Sequence, residues 1–110
     1  MIGMSPGDRA DYRLTPKALD DLEEIWRYTA ETWSIEQADD SVDRLNQAFE
    51  MLGKMPAMAR EYREINPPVR VHVNQSHLIV YRADENSGTI AVLRVLGGRR
   101  DWQAILNAIG

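Results

Sequence analysis

The chain of 110 residues contains no cysteine. Structural disulfides, cysteine-based zinc sites, iron–sulfur clusters and thiol nucleophiles are therefore excluded. Cysteine-free usage also fits a reducing compartment. No apolar run approaches the ~20 residues of a membrane-spanning helix. Met1 to Arg9 has neither a basic start nor an apolar stretch, so no signal peptide is expected there and residues 1–9 read as a flexible tail. Asn74-Gln75-Ser76 matches a glycosylation sequon, taken as chance without a secretion signal. Gly97-Gly98 lacks the spacing of a phosphate-binding glycine loop, and no H-E-x-x-H occurs. No serine sits in a nucleophile elbow. Internal repeats and low-complexity segments are missing as well.

What is there is globular: 44% hydrophobic and 27% charged residues. Residues 10–110 are expected to form a single domain with one modest core. The net charge of −4 is unevenly spread. Residues 1–55 hold 6 basic and 12 acidic side chains, whereas residues 56–110 hold 7 and 5, and all 7 of those basic residues are arginine. The acidic balance argues against coating DNA by charge alone. An arginine-only basic half points either to a localised acidic or anionic partner or to an ordinary solvated surface.

Residues 11–14 read as a short strand with Tyr12 and Leu14 on one face. Thr15-Pro16 opens a helix, with Thr15 as N-cap and proline at the first helical position. Its apolar stripe is Leu19, Leu22, Trp26, Ala30 and Trp33, widened by Ile25 and Thr29, while Asp20, Asp21, Glu23, Glu24 and Arg27 lie largely outside it. Ser34-Ile35-Glu36-Gln37 has the capping-box pattern that starts a second helix. Its stripe runs Ile35, Ala38, Val42, Leu45, Phe49, Leu52, and Gly53 is the expected C-cap. So tight a connection predicts an antiparallel helix hairpin, with Trp26 and Phe49 buried against a sheet. Residues 54–68 read as a connecting loop with room for one helical turn. Val69–Val73, His77–Arg82 and Thr89–Leu96 then form a three-strand meander, and Asp101–Leu106 a short terminal helix. The fold class is α+β, an antiparallel sheet of meander plus N-terminal strand packed on the hairpin.

Taking Asn74-Gln75 as the first turn pairs Val71 with Leu78 and His72 with His77. Pairing Ala83 with Gly88 sets Tyr81 against Ile90. The valines, with Leu78, Val80, Ala91, Leu93 and Val95, are then expected to face the helices. The opposite face carries Arg70, His72, His77, Ile79, Tyr81, Ile90, Val92 and Arg94, half apolar and half basic, which suits either a docking surface or a face covered by another element. Arg70, Ile79, Tyr81, Ile90, Val92 and Arg94 are the candidates for binding a partner there, with Arg82 beside them or on the other face. His72 and His77 as cross-strand neighbours suit a metal in type only, because no third ligand stands near. No metal or cofactor is expected. Arg99-Arg100 after the glycine break either grips an acidic or phosphate-bearing target or pairs with the acidic helices. Trp102 is either an interface anchor or a core staple.

The chain resembles the RelE/ParE superfamily of bacterial toxins, on the ParE side. The carriers of the resemblance are Tyr12-Arg13-Leu14-Thr15-Pro16-Lys17-Ala18 leading into Asp21-Leu22-Glu23-Glu24-Ile25-Trp26, the helix end Phe49 to Pro56, Val69-Arg70, and Ile79-Val80-Tyr81-Arg82. The most specific block is Ile90 to Trp102, a strand closed by Gly97-Gly98-Arg99-Arg100-Asp101-Trp102. The resemblance implies the toxin of a type II toxin–antitoxin pair, encoded beside a ParD-like antitoxin and neutralised by it in a heterotetramer or larger complex. It further implies a cytoplasmic, non-enzymatic protein that poisons DNA gyrase and meets operator DNA only through the antitoxin. Arg99, Arg100 and Trp102 are the expected toxic contacts. RelE-type relatives instead cut messenger RNA in the ribosome with basic residues on the sheet and a terminal tyrosine or other acid/base. Here the segment after Arg100 has Trp102 and neither tyrosine nor histidine, while Tyr81 on the sheet keeps a nuclease as the competing expectation. A non-toxic binding module is the third.

Overall fold

Local chemistry sets the helix starts. The computed structural model describes residues 12–84 and 88–97. Strand β1 spans Tyr12–Leu14 and helix α1 spans Pro16–Thr32. Thr15 Oγ1 accepts the Ala18 N–H at 3.2 Å, the N-cap bond that the sequence predicts. Helix α2 spans Ile35–Lys54, and the Ser34 hydroxyl accepts the Gln37 N–H at 3.0 Å. Helix α2 does not stop at Gly53; it runs to Lys54 and ends on Met55, whose N–H reaches the Met51 carbonyl. Lys54 in this last turn sits at the negative end of the helix dipole.

The 54–68 connection is richer than a loop. A single 3₁₀ turn, Pro56–Met58, leads into strand β2 at Arg60–Tyr62, too short to show periodicity. Strands β3 (Val69–Asn74), β4 (His77–Asp84) and β5 (Thr89–Gly97) follow. The sheet order is β1-β5-β4-β3-β2. Strand β1 lies at an edge beside β5, parallel to it, so the sheet is mixed rather than purely antiparallel. The expected terminal helix, Asp101–Leu106, and the tail 1–9 lie outside the described residues.

The first hairpin register differs from expectation by two residues along the pairing, and the second by two up to a bulge and by three beyond it. Val71 pairs with Val80 and His72 with Ile79, because Gln75-Ser76, not Asn74-Gln75, forms the turn. Gln75 adopts φ 55°, a left-handed conformation that a tight reversal requires of one residue. Tyr81 pairs with Val92, and a bulge then shifts β5 so that Val80 faces Arg94 and Ile79 faces Val95.

A two-residue slip leaves side chains on the same faces, so register is not why the faces are inverted before the bulge; beyond it the odd slip moves Arg94 to the Val80 face and sets Val95 beside Ile79. The helices cover Ile79, Tyr81, Ile90, Val92 and Val95, which pack with Ala18, Leu22, Leu45, Phe49 and Leu52. The valine face packs instead under the β2–β3 connection, where Ile65 meets Val69, Val80 and Leu96. Both faces of β4 are apolar and both are buried from Leu78 to Tyr81, so alternation in β3 alone did not tell which face the helices take. Phe49 is fully buried and stacks obliquely on Tyr12 at 5.4 Å between ring centroids. Trp26 is not a core anchor: it is only half-buried, and its indole N–H reaches Asp39 across the hairpin at 2.8 Å.

Candidate functional site

Strand β5 loses its neighbour where β1 ends, and α1 supplies the missing partners. Thr15 N–H bonds the Val92 carbonyl at 3.1 Å, and the Thr15 hydroxyl donates to the Leu93 carbonyl at 3.0 Å. Beyond them the Asp21 carboxylate accepts the Val95 N–H at 2.9 Å and grips Arg94 through Nε at 2.8 Å and Nη2 at 3.0 Å. Asp21 is only 8% exposed, and both of its carboxylate oxygens accept hydrogen bonds. Its carboxylate holds the Arg94 guanidinium above its ordinary pKa range, against the opposing effect of burial. The sequence places Asp21 among solvent-facing acids. The missed signal is its spacing: three residues after Ala18 and four before Ile25, on the edge of the buried stripe. Sequence spacing left Arg94 as an open cation; the fold pairs it.

The partner-binding face expected from the sequence is closed. Ile79, Tyr81, Ile90 and Val92 are each 0% exposed beneath the helices, so they form core rather than an apolar docking floor. The Tyr81 hydroxyl donates to the Pro56 carbonyl at 2.7 Å. Burial pushes its pKa up, against smaller opposing effects from an Ala59 backbone hydrogen bond and the Arg70 charge. A phenol so placed is no surface acid/base. Arg70 lies at the margin of this face, its guanidinium donating to the Ala59 carbonyl at 2.6 Å. His72 and His77 are not paired across the strands, since His72 faces Ile79 and His77 faces Asn74. Partial burial lowers the pKa of both from 6.5. Among the described residues no group of three or more His, Asp or Glu side chains gathers to hold a metal. Arg99, Arg100 and Trp102 lie outside the described residues.

Several recesses are open among the described residues, one of about 640 Å³ lined by Arg13, Glu61, Arg82 and Asp84 among others; two more bear on binding. One, of about 660 Å³, runs between the hairpin and the end of β5, lined by Asp21, Glu24, Tyr28, Trp33, Asp40 and Arg44 among others. Tyr28 and Trp33 are 67% and 70% exposed there, and Arg44 pairs with Asp40 at 3.1 Å. Expected stripe residue Trp33 thus stands on the surface, past the end of α1 as its C-cap. The second recess, of about 470 Å³, lies beside the first turn of α1 on the sheet face opposite the helix hairpin, floored by Ile65, Val69 and Leu93 and rimmed by Lys17, Arg82 and Arg94. The structure brings Arg82 and Arg94 to this recess and separates both from Ile79, Tyr81, Ile90 and Val92. Both recesses offer apolar surface with charged side chains at the rim, which suits binding.

This helix-hairpin-on-sheet architecture is that of a solved toxin–antitoxin component. A chain of the chromosomal ParDE TA system from P. aeruginosa superposes with a TM-score of 0.67 at 19% identity, covering 78% of this chain and 92% of that one. Residues 12–102 match the ParE toxin of type II toxin–antitoxin system, parDE. Toxin ParE1 of Mycobacterium tuberculosis (strain H37Rv) is 38% identical over 90 residues, 82% of this chain and 91% of that protein. Toxin ParE1 of Caulobacter vibrioides is 32% identical over 85 residues, 77% of this chain and 85% of that protein. The chain belongs to the ParE toxin family of type II toxin–antitoxin systems.

Proposed function

We propose that this ParE-family toxin arrests growth by binding DNA gyrase and is held inactive by a ParD-like antitoxin, in a heterotetramer or larger complex. The observation that carries this reading is the family match across residues 12–102, which includes the Gly97–Trp102 closure. The toxin acts without catalysis, in the cytoplasm where gyrase works, and touches operator DNA only through its antitoxin. Among the described residues no helix is long and apolar enough to cross a membrane. Burial of Tyr81 favours binding over the nuclease alternative, since the one tyrosine proposed for the sheet is committed to Pro56. Toxicity resides in Arg99, Arg100 and Trp102, whose guanidinium pair and indole suit an acidic or phosphate-bearing target and an interface anchor.

The test is induced expression of the toxin alone, following DNA-damage signalling and messenger RNA integrity in parallel. DNA-damage signalling with intact transcripts supports gyrase poisoning. Site-specific transcript cutting with normal replication overturns it in favour of the ribosome-dependent nuclease. No growth effect overturns it in favour of a non-toxic module. Truncation after Gly98 tests the toxic contacts: a folded, antitoxin-binding, non-toxic product is expected, and a fully toxic one places the target surface elsewhere.

A further inference from the structure

Resting on the antitoxin reading above, we propose that the recess on the sheet face opposite the helix hairpin receives an acidic amphipathic segment of the antitoxin. Its floor is apolar, formed by Ile65, Val69 and Leu93, with Pro16 and Pro67 at its sides. All the charged residues lining it are cations: Lys17, Arg82 and Arg94. Arg94 is neutralised by Asp21. Lys17 and Arg82 are exposed, and neither makes an ion pair among the described residues. Two uncompensated cations around an apolar floor, on a chain of net charge −4, mark a local reversal of sign.

The hairpin groove has the opposite character. Asp21 and Asp40 line it already paired with Arg94 and Arg44, and Glu24 is left there as a carboxylate without an ion pair among the described residues. Carboxylates entering that groove meet like charge; entering the sheet recess they meet Lys17 and Arg82. Charge complementarity therefore separates the two surfaces even though both carry apolar side chains. The fitting occupant presents apolar anchors at helical spacing toward Ile65 and Leu93 and carboxylates on the flanks toward Lys17 and Arg82. Rim charges of this kind act mostly on the association rate and on the salt dependence of binding.

The experiment uses the full chain and the purified ParD-like protein encoded beside it, with affinity measured by calorimetry at low and high salt. The double variant Lys17→Glu/Arg82→Glu is compared with Asp40→Lys on the rim of the hairpin groove. Both sets of positions are solvent-exposed, and a neutral Lys17→Gln/Arg82→Gln variant guards against a folding defect. The expected result is binding weakened on the order of tenfold or more by the double reversal, less by the neutral pair, with a flattened salt dependence. Asp40→Lys is expected to bind as the parent does. Full affinity in both Lys17/Arg82 variants together with loss in Asp40→Lys overturns the recess and places the segment in the hairpin groove. No complex with the unmodified chain overturns the antitoxin reading itself.

Discussion

Replacing Asp21 by Ala is the most informative single perturbation of this fold. The carboxylate receives three bonds from β5: two from the Arg94 guanidinium at 2.8 and 3.0 Å and one from the Val95 N–H at 2.9 Å. Removing it leaves a guanidinium whose side chain is only 13% exposed without its counter-charge. Breaking such a buried pair from one side costs about 3–5 kcal/mol. The unpartnered Val95 N–H falls within that cost rather than adding to it, because the two share one carboxylate. A domain of this size holds roughly 5–15 kcal/mol in all, so about a fifth or more of its stability is at stake. At about 4–6 °C per kcal/mol, the melting temperature is expected to fall by roughly 12–30 °C. Urea unfolding followed by circular dichroism, on protein made by cell-free synthesis, reads this as a lowered midpoint at unchanged slope. The double variant Asp21→Leu/Arg94→Met should recover part of the loss, since an apolar pair has no stranded charge. A loss under about 1 kcal/mol in Asp21→Ala, or a double variant as unstable as the sum of the singles, refutes the assignment of this pair as the link between α1 and the sheet.

Phe49→Ala is expected to cost about 3–5 kcal/mol by chemical denaturation, because the ring is fully buried against Tyr12 and has no space to collapse into. Trp26→Phe, by contrast, loses only an exposed indole–carboxylate bond to Asp39 and should cost about 1 kcal/mol or less in the same assay. Ser34→Ala removes the acceptor for the Gln37 N–H and should cost about 1 kcal/mol, largely restored in Ser34→Asn. His72 and His77 have folded pKa values below the 6.5 of the unfolded chain, so the unfolded state binds more protons as pH falls. Their stabilising effect is complete above 6.5 and is lost as pH drops from there through the folded values. Stability measured from pH 7.5 to 5 should therefore decline less in His72→Gln/His77→Gln than in the parent.

Much of the fold is written in local sequence because local chemistry produces it. Thr15-Pro16 and Ser34 start helices wherever they stand before an amphipathic run, since each satisfies N–H groups that no helix can satisfy itself. The meander and the strand at Tyr12–Leu14 followed from strand periodicity and turn residues, while the place of that strand at the edge beside β5 came from the fold. The closure Gly97 to Trp102 carried the family resemblance that the comparison over residues 12–102 confirmed. What tertiary structure alone decided is which side of the sheet the helices cover. Ile79, Tyr81, Ile90 and Val92 alternate with Leu78, Val80 and Ala91, and both sets are apolar, so periodicity assigns two faces without ranking them. The helix hairpin took the face with Tyr81 and left the valine face to Ile65 and the open recess. That choice buried the residues expected to bind a partner and brought Lys17, Arg82 and Arg94, far apart in the chain, to one rim. It also turned Asp21 from a surface acid into the counter-charge of Arg94, because only packing brings a helix carboxylate to a strand edge 73 residues away.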